Sequence, residues 1–278
     1  MCANRTDPVL IVSTGRTGTR YLAEFLTEHY PQVEAHHTTP RSTLFNVLSN
    51  MHLAGMLSER ALLRCWRTLK GREFALTKKS LFVDSNNHLY VFAALARQLY
   101  PQVKVIHIVR DPRTYIRSHL NWSRQRLKSF IANHVLPFWQ PNGFLLNEVS
   151  AWRWLMYTRF EQFCWIWQFK NQYLTSIGDT ETPYLRLRFE DLTRHSIDQN
   201  AMARLVDFLS LPATTTIRSA GPVNETRRRV FPAWQRWSPK MCAHLDRTCG
   251  EQMRLHGYGF EEEWSQKVRL GNDLYGVV

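Results

Sequence analysis

Cysteine is scarce in this chain and follows no pattern. Five stand in 278 residues (Cys2, Cys65, Cys164, Cys242 and Cys249), an odd count without paired spacing. That spacing supports neither a disulfide framework nor a zinc motif, and it favours a reducing, cytoplasmic setting. No apolar run approaches the roughly 18 residues of a membrane-spanning helix. The first residues, MCANRTDPVL, lack the basic start and apolar core of a signal peptide, so none is expected. Internal repeats and low-complexity tracts are missing too. So is an evident carboxylate cluster, and no metal is expected. Acidic residues are the other shortage: 23 Asp and Glu face 36 Lys and Arg, a net charge of +13. A surface so basic concentrates anionic partners. A multiply phosphorylated nucleotide and an anionic membrane surface both fit. Nucleic acid also fits the charge, but no recognition motif accompanies it, and nucleic acid is not expected as a partner.

What is present is a core and a sheet. Apolar residues make up 44% of the chain and aromatics 13%. Four apolar segments read as strands that end in turns: Pro8 to Ser13, Ser80 to Asp84, Val103 to Val109 and Pro183 to Phe189. Val33 to His37 is a weaker fifth. Runs such as VLIVS and KVIHIV suit strands covered on both faces. Helical spacing lies between them, over Arg16 to His29 and His88 to Tyr100. Alternating strands and helices predict an α/β fold with a central parallel sheet. No linker interrupts the chain, so a single domain over 1–278 is expected, with a helical, aromatic-rich elaboration over 121–178. Within it, NEVSAWRWLMYTRFEQFCWIWQFKNQYL reads as one long helix whose aromatics pack into the core rather than line a substrate wall.

Two segments carry chemistry. In STGRTGTRYL, Gly15 and Gly18 permit a compact turn and close backbone approach at the start of a helix. The amides of Thr17, Gly18, Thr19 and Arg20, with the helix dipole, suit an anion. Arg16 can fork onto it, and the Thr17 and Thr19 hydroxyls can donate. The loop is not the G-x-x-x-x-G-K-[ST] loop of ATP and GTP hydrolases, because Arg16 precedes the second glycine. In KVIHIVRDPRTYIRSHL, Arg110 follows a buried strand, Pro112 opens a helix with Asp111 at its cap, and Ser118 lies eight residues after Arg110. Ligands of open α/β sheets bind at the carboxyl ends of the strands. Two anion sites at that edge suggest a nucleotide with phosphates at two positions.

These two motifs resemble those of the sulfotransferases that use 3′-phosphoadenosine 5′-phosphosulfate (PAPS). STGRTGTRYL is similar to that family's 5′-phosphosulfate loop, a Lys or Arg followed by Ser/Thr-Gly-Thr-Thr. IHIVRDPRTYIRSHL is similar to its 3′-phosphate motif. YLRLRFEDL and the segment FPAWQRWSPKMCAHLDRTCGEQMRLHGYGF resemble parts of bacterial members. The resemblance implies a three-layer, P-loop-like nucleotide-binding fold around a central parallel sheet, and transfer of a sulfuryl group from PAPS to a hydroxyl or amine. The acceptor would be a small molecule, a carbohydrate or a lipid-linked group. It gives Arg16 the role of stabilising the leaving oxygen and assigns Gly15, Thr17, Gly18, Thr19 and Arg20 to the 5′ end of the donor. The family commonly has Thr where Arg20 stands. Arg110 and Ser118 match the 3′-phosphate ligands. The basic run NETRRRVF could complete that site through Arg227, Arg228 or Arg229. The base that takes the acceptor's proton stays open: His37 or Glu34 in VEAHH first, Asp84 second, beside His88 in LFVDSNNHLY. The alternatives are a P-loop nucleotide kinase-like enzyme, or an inactive relative that only binds nucleotide or nucleic acid.

Overall fold

The computed structural model describes residues 7–38, 40–123, 138–193, 198–213 and 230–274. The described residues fall into two compact units, Met1–Val109 with Tyr173–Asn224, and Arg110–Gln172 with Glu225–Val278.

The first unit holds a five-stranded sheet of β1 (Val9–Ser13), β2 (Val33–His37), β3 (Leu81–Ser85), β4 (Lys104–Val109) and β5 (Tyr184–Arg188). The strands are parallel throughout, in the order β2-β3-β1-β4-β5. Its helices are α1 (Thr19–His29), α2 (Pro40–Leu53), α3 (Glu59–Leu69), α4 (Gly71–Leu76) and α5 (Tyr90–Leu95). The second unit contributes α6 (Pro112–Ser123), α7 (Ala151–Met156) and most of α8 (Arg159–Thr175). The short α9 (Phe189–Thr193) and α10 (Gln199–Phe208) return to the first unit, and α11 (Pro239–Leu255) and α12 (Glu262–Asp273) to the second. The expected α/β class and parallel sheet are as found. β2 matches its expected bounds, and the other strands differ by a single residue at one or both ends.

Side chains alternate across a strand, and that alternation builds the layers. Val9 and Ile11 of β1, Val83, Ile106, Ile108, Leu185 and Leu187 face one way. They pack on Leu22, Phe25 and Leu26 of α1 and on Met202 and Leu205 of α10. Leu10 and Val12 are equally buried and face the other way. There α5 packs against β1. Phe92 of α5 stacks on Trp66 of α3, ring centroids 3.5 Å apart.

Three helices differ from expectation, each for a local reason. α1 begins at Thr19 rather than Arg16, because Gly15, Arg16 and Gly18 all take positive φ, outside the right-handed helical region. The helix expected over His88 to Tyr100 is split into 3₁₀ turns (Asn87–Leu89 and Ala96–Gln98) around α5. The Asn86 side chain caps its start by accepting from the His88 amide. The single long helix expected within Asn147 to Leu174 is two. The Thr158 amide and hydroxyl both donate to Glu161, 2.7 and 2.8 Å away, a capping pair that starts α8 afresh. The aromatics of α8 do pack: Phe160, Phe163, Trp165 and Trp167 are buried.

Candidate functional site

The loop between β1 and α1 is built from residues held in unusual conformations. Gly15, Arg16 and Gly18 have φ of 97°, 58° and 71°. Glycine tolerates this freely, but Arg16 carries a Cβ into the left-handed region. The Gly15 amide donates to the Ser13 hydroxyl, 3.1 Å away. Thr14 and Thr17 are almost wholly buried, yet their hydroxyls have no hydrogen-bond partner in the structure. Buried hydroxyls are nearly always satisfied, and in this loop two are not. Gly18 gives α1 no side-chain cap, and the first turn of α1 carries no acidic residue. The positive end of the helix is left for an anion. Arg20 turns instead along α1, donating from Nε to Glu24 at 2.7 Å on the exposed side.

β2 and β3 bring His37 to this loop. His37 pairs in register with Ser85, each the last residue of its strand. His37 Nδ1 lies 3.0 Å from the Ser85 carbonyl. A carbonyl only accepts, so Nδ1 carries the proton and Nε2 presents its lone pair. The Thr38 hydroxyl sits 3.3 Å from that Nε2 and can donate to it. The buried Ser85 hydroxyl in turn donates to the carbonyl of Thr19, 2.7 Å away, at the first turn of α1. One serine therefore ties the imidazole to the start of α1. Burial pulls the His37 pKa below its usual value; the Ser85 carbonyl opposes this, Arg20 adds to it, and Asp84 and Glu24 oppose it. The ring is neutral at neutral pH, as a proton acceptor must be.

The other two base candidates have different surroundings. Glu34 lies three residues back from the end of β2, where Thr77 donates to its carboxylate and His36 Nε2 lies 2.8 Å away. Burial raises its pKa, but Thr77 and His36 outweigh that and hold it below the usual carboxylate value. Asp84 is fully buried one residue before Ser85, so it faces the other side of the sheet from His37. Its Oδ2 lies 2.7 Å from the Nζ of the buried Lys70. Lys70 also meets Glu73 at 2.6 Å. Burial lowers the Lys70 pKa, and Asp84 with Glu73 more than restores it. Asp84 is thus half of an internal ion pair.

The second unit carries Arg110 and Ser118. Arg110 directly follows β4, and its Nε donates to the Thr114 hydroxyl at 2.9 Å. Its carbonyl accepts from the Trp167 indole at 2.9 Å. Asp111 caps α6 as expected, accepting from the Arg113 amide at 2.8 Å. Ser118 lies two turns along the same helix. Arg227, Arg228 and Arg229 lie outside the described residues. The chain just after them is docked on α6: the Phe231 amide donates to Asn121 Oδ1 at 2.7 Å, and its carbonyl accepts from Arg117 Nε at 3.3 Å.

Sequence reasoning missed Thr14, Ser85 and Lys70. Thr14 sits inside the quoted loop and was legible as a hydroxyl beside Gly15. Ser85 and Lys70 gain their roles only through strand register and a tertiary ion pair. Among the described residues, no group of three or more His, Cys, Asp or Glu could hold a metal ion. Nor is any described helix long and apolar enough to cross a membrane.

Comparison with known proteins supplies the remaining finding. A family model described as the sulfotransferase domain matches residues 6–253. No curated protein sequence matches the chain. Among solved structures, the sulfotransferase from Alicyclobacillus acidocaldarius is 14% identical, with a TM-score of 0.49, covering 95% of this chain and 100% of that one. The sulfotransferase domain from the curacin biosynthetic pathway is 12% identical, with a TM-score of 0.46, covering 96% and 98%. The sulfotransferase domain from the Synechococcus PCC 7002 olefin synthase is 17% identical, with a TM-score of 0.44, covering 77% and 78%.

Proposed function

Because the chain belongs to the sulfotransferase domain family, we propose that it moves a sulfuryl group from PAPS to a hydroxyl or amine, releasing 3′-phosphoadenosine 5′-phosphate. The family match runs through both compact units, which supports one functional domain over 1–278. The observation that carries the reading is the β1–α1 loop. Its left-handed turn, two orphan buried hydroxyls and uncapped helix start suit the 5′-phosphosulfate of the donor. Arg110 and Ser118 take the 3′-phosphate, with Arg228 completing that end.

The chemistry asks little covalent help of the protein. The bond from sulfur to the bridging oxygen breaks, a bond from the acceptor oxygen or nitrogen to sulfur forms, and negative charge grows on the departing 5′-phosphate. Arg16 and the loop amides supply positive charge at that point, and a preorganised donor of this kind is worth on the order of 10²–10³ in rate. Gly15, Gly18, Thr17 and Thr19 shape and line the loop. His37 Nε2 accepts the acceptor's proton, held in the required tautomer by Ser85. Glu34 and Asp84 are bound up in local pairs and leave His37 the better base. No metal is needed in this scheme, since arginine and backbone amides provide the charge. The acceptor is a small molecule, a carbohydrate or a lipid-linked group, and the setting is cytoplasmic.

The test is calorimetric titration with adenosine 3′,5′-bisphosphate, without metal. Micromolar binding by the wild type, lost in Arg110→Ala and weakened in Arg16→Ala, is the expected result. A folded wild type that does not bind overturns the proposal.

A further inference from the structure

A ridge of apolar side chains stands out of the second unit on α7. Ser150 caps this helix, accepting from the Arg153 amide. Trp154 fills its inward position, buried with its ring 5.2 Å from that of Trp165. The outward positions are the unexpected ones. Trp152, Leu155 and Met156 are 72%, 73% and 59% exposed. Their spacing of i, i+3 and i+4 puts them on one stripe of the helix. Arg153 is exposed between them in sequence, its guanidinium 5.8 Å from the centre of the Tyr157 ring. Single exposed apolar residues are ordinary, but a tryptophan, a leucine and a methionine side by side mark an interaction surface.

We propose that this ridge docks the protein on an anionic lipid bilayer by shallow insertion of Trp152, Leu155 and Met156. Two observations select a bilayer over a protein partner. The first is size. A stable protein interface takes about 800 Å² and 20–30 residues from each side, and three side chains on a six-residue helix fall far short. A bilayer needs no matching surface, only apolar side chains to enter it and tryptophan to sit at its boundary. The second is charge. A net +13 draws the whole molecule to an anionic leaflet, and each cation near that surface contributes about 1 kcal/mol. The exposed Arg153 flanks the ridge, one position after Trp152, and can meet a headgroup. The inference stands independently of the donor and acceptor proposed above.

The experiment is co-sedimentation of the full chain with vesicles of phosphatidylcholine, alone or with phosphatidylglycerol. The wild type is expected to sediment with the anionic vesicles and to stay in solution with the neutral ones. The triple variant Trp152→Ser, Leu155→Ser, Met156→Ser should lose at least about tenfold in partitioning, given the area withdrawn from lipid. Its circular dichroism and unfolding temperature should match the wild type. Should the triple variant not fold, Trp152→Ser alone decides: brominated lipid should quench tryptophan emission more in the wild type than in that variant. Three outcomes overturn the proposal. The wild type ignores anionic vesicles, or the folded triple variant binds them equally. In the third, analytical ultracentrifugation finds a dimer that the triple variant abolishes while no vesicle is bound.

Discussion

The β1–α1 loop and the start of α6 treat buried polar groups in opposite ways. In the loop, the Thr14 and Thr17 hydroxyls are buried without a partner. At α6, the buried Arg113 is held on every side. Its guanidinium donates to both oxygens of Asp111 at 2.6–3.0 Å and to both of Glu261 at 2.7 and 2.9 Å. It also lies 4.7 Å from the Trp234 ring and 5.1 Å from that of Trp264. A satisfied cluster is complete without a ligand and serves the fold. An unsatisfied one costs free energy until something fills it, which is what the binding role proposed for the loop requires.

Mutation can break this contrast. The largest effect should come from Arg113→Met, which leaves the buried Asp111 carboxylate without its partner. Urea unfolding should show a loss of about 3–5 kcal/mol. A loss under about 1 kcal/mol would mean the cluster is not structural. Arg16→Ala should act on turnover, lowering transfer from PAPS by on the order of 10²–10³.

His37 sharpens the loop side. Its folded pKa is held below the usual 6.5, mainly by burial. The neutral form is the base, so kcat/KM should fall as pH drops through that lowered value and stay level above it. His37→Gln should lose on the order of 10² in rate and flatten this acid limb. An acid limb that persists in the variant assigns the base elsewhere. The smallest effect belongs to Thr17→Val. Removing an orphan hydroxyl should leave stability unchanged or slightly higher, while affinity for adenosine 3′,5′-bisphosphate drops about tenfold. Loss of stability instead would show the hydroxyl to be paired within the protein.

The sheet was legible because apolar runs and turns are local signals, and β2 was found at its expected bounds. The break within the aromatic segment was legible too, in the spacing of Thr158 and Glu161, but the dense aromatics suggested continuity. Lys70 was hidden. A lysine at the end of an amphipathic helix reads as solvent-facing, and only β3 brings Asp84 to it. Ser85 was hidden for a related reason: its hydroxyl meets Thr19, 66 positions away, through strand order alone. The tight turn before α1 could be read from the sequence because glycine spacing is a property of a short segment.

Arg16 holds a left-handed backbone, with φ of 58° and a full side chain. A glycine there would relieve on the order of 1 kcal/mol of conformational strain. Selection acting on folding alone would therefore favour glycine at position 16. With the leaving-group role proposed for Arg16, the loop becomes a point where durability and activity pull apart, and a variant chosen only for heat resistance should drift to Arg16→Gly and lose turnover as it does.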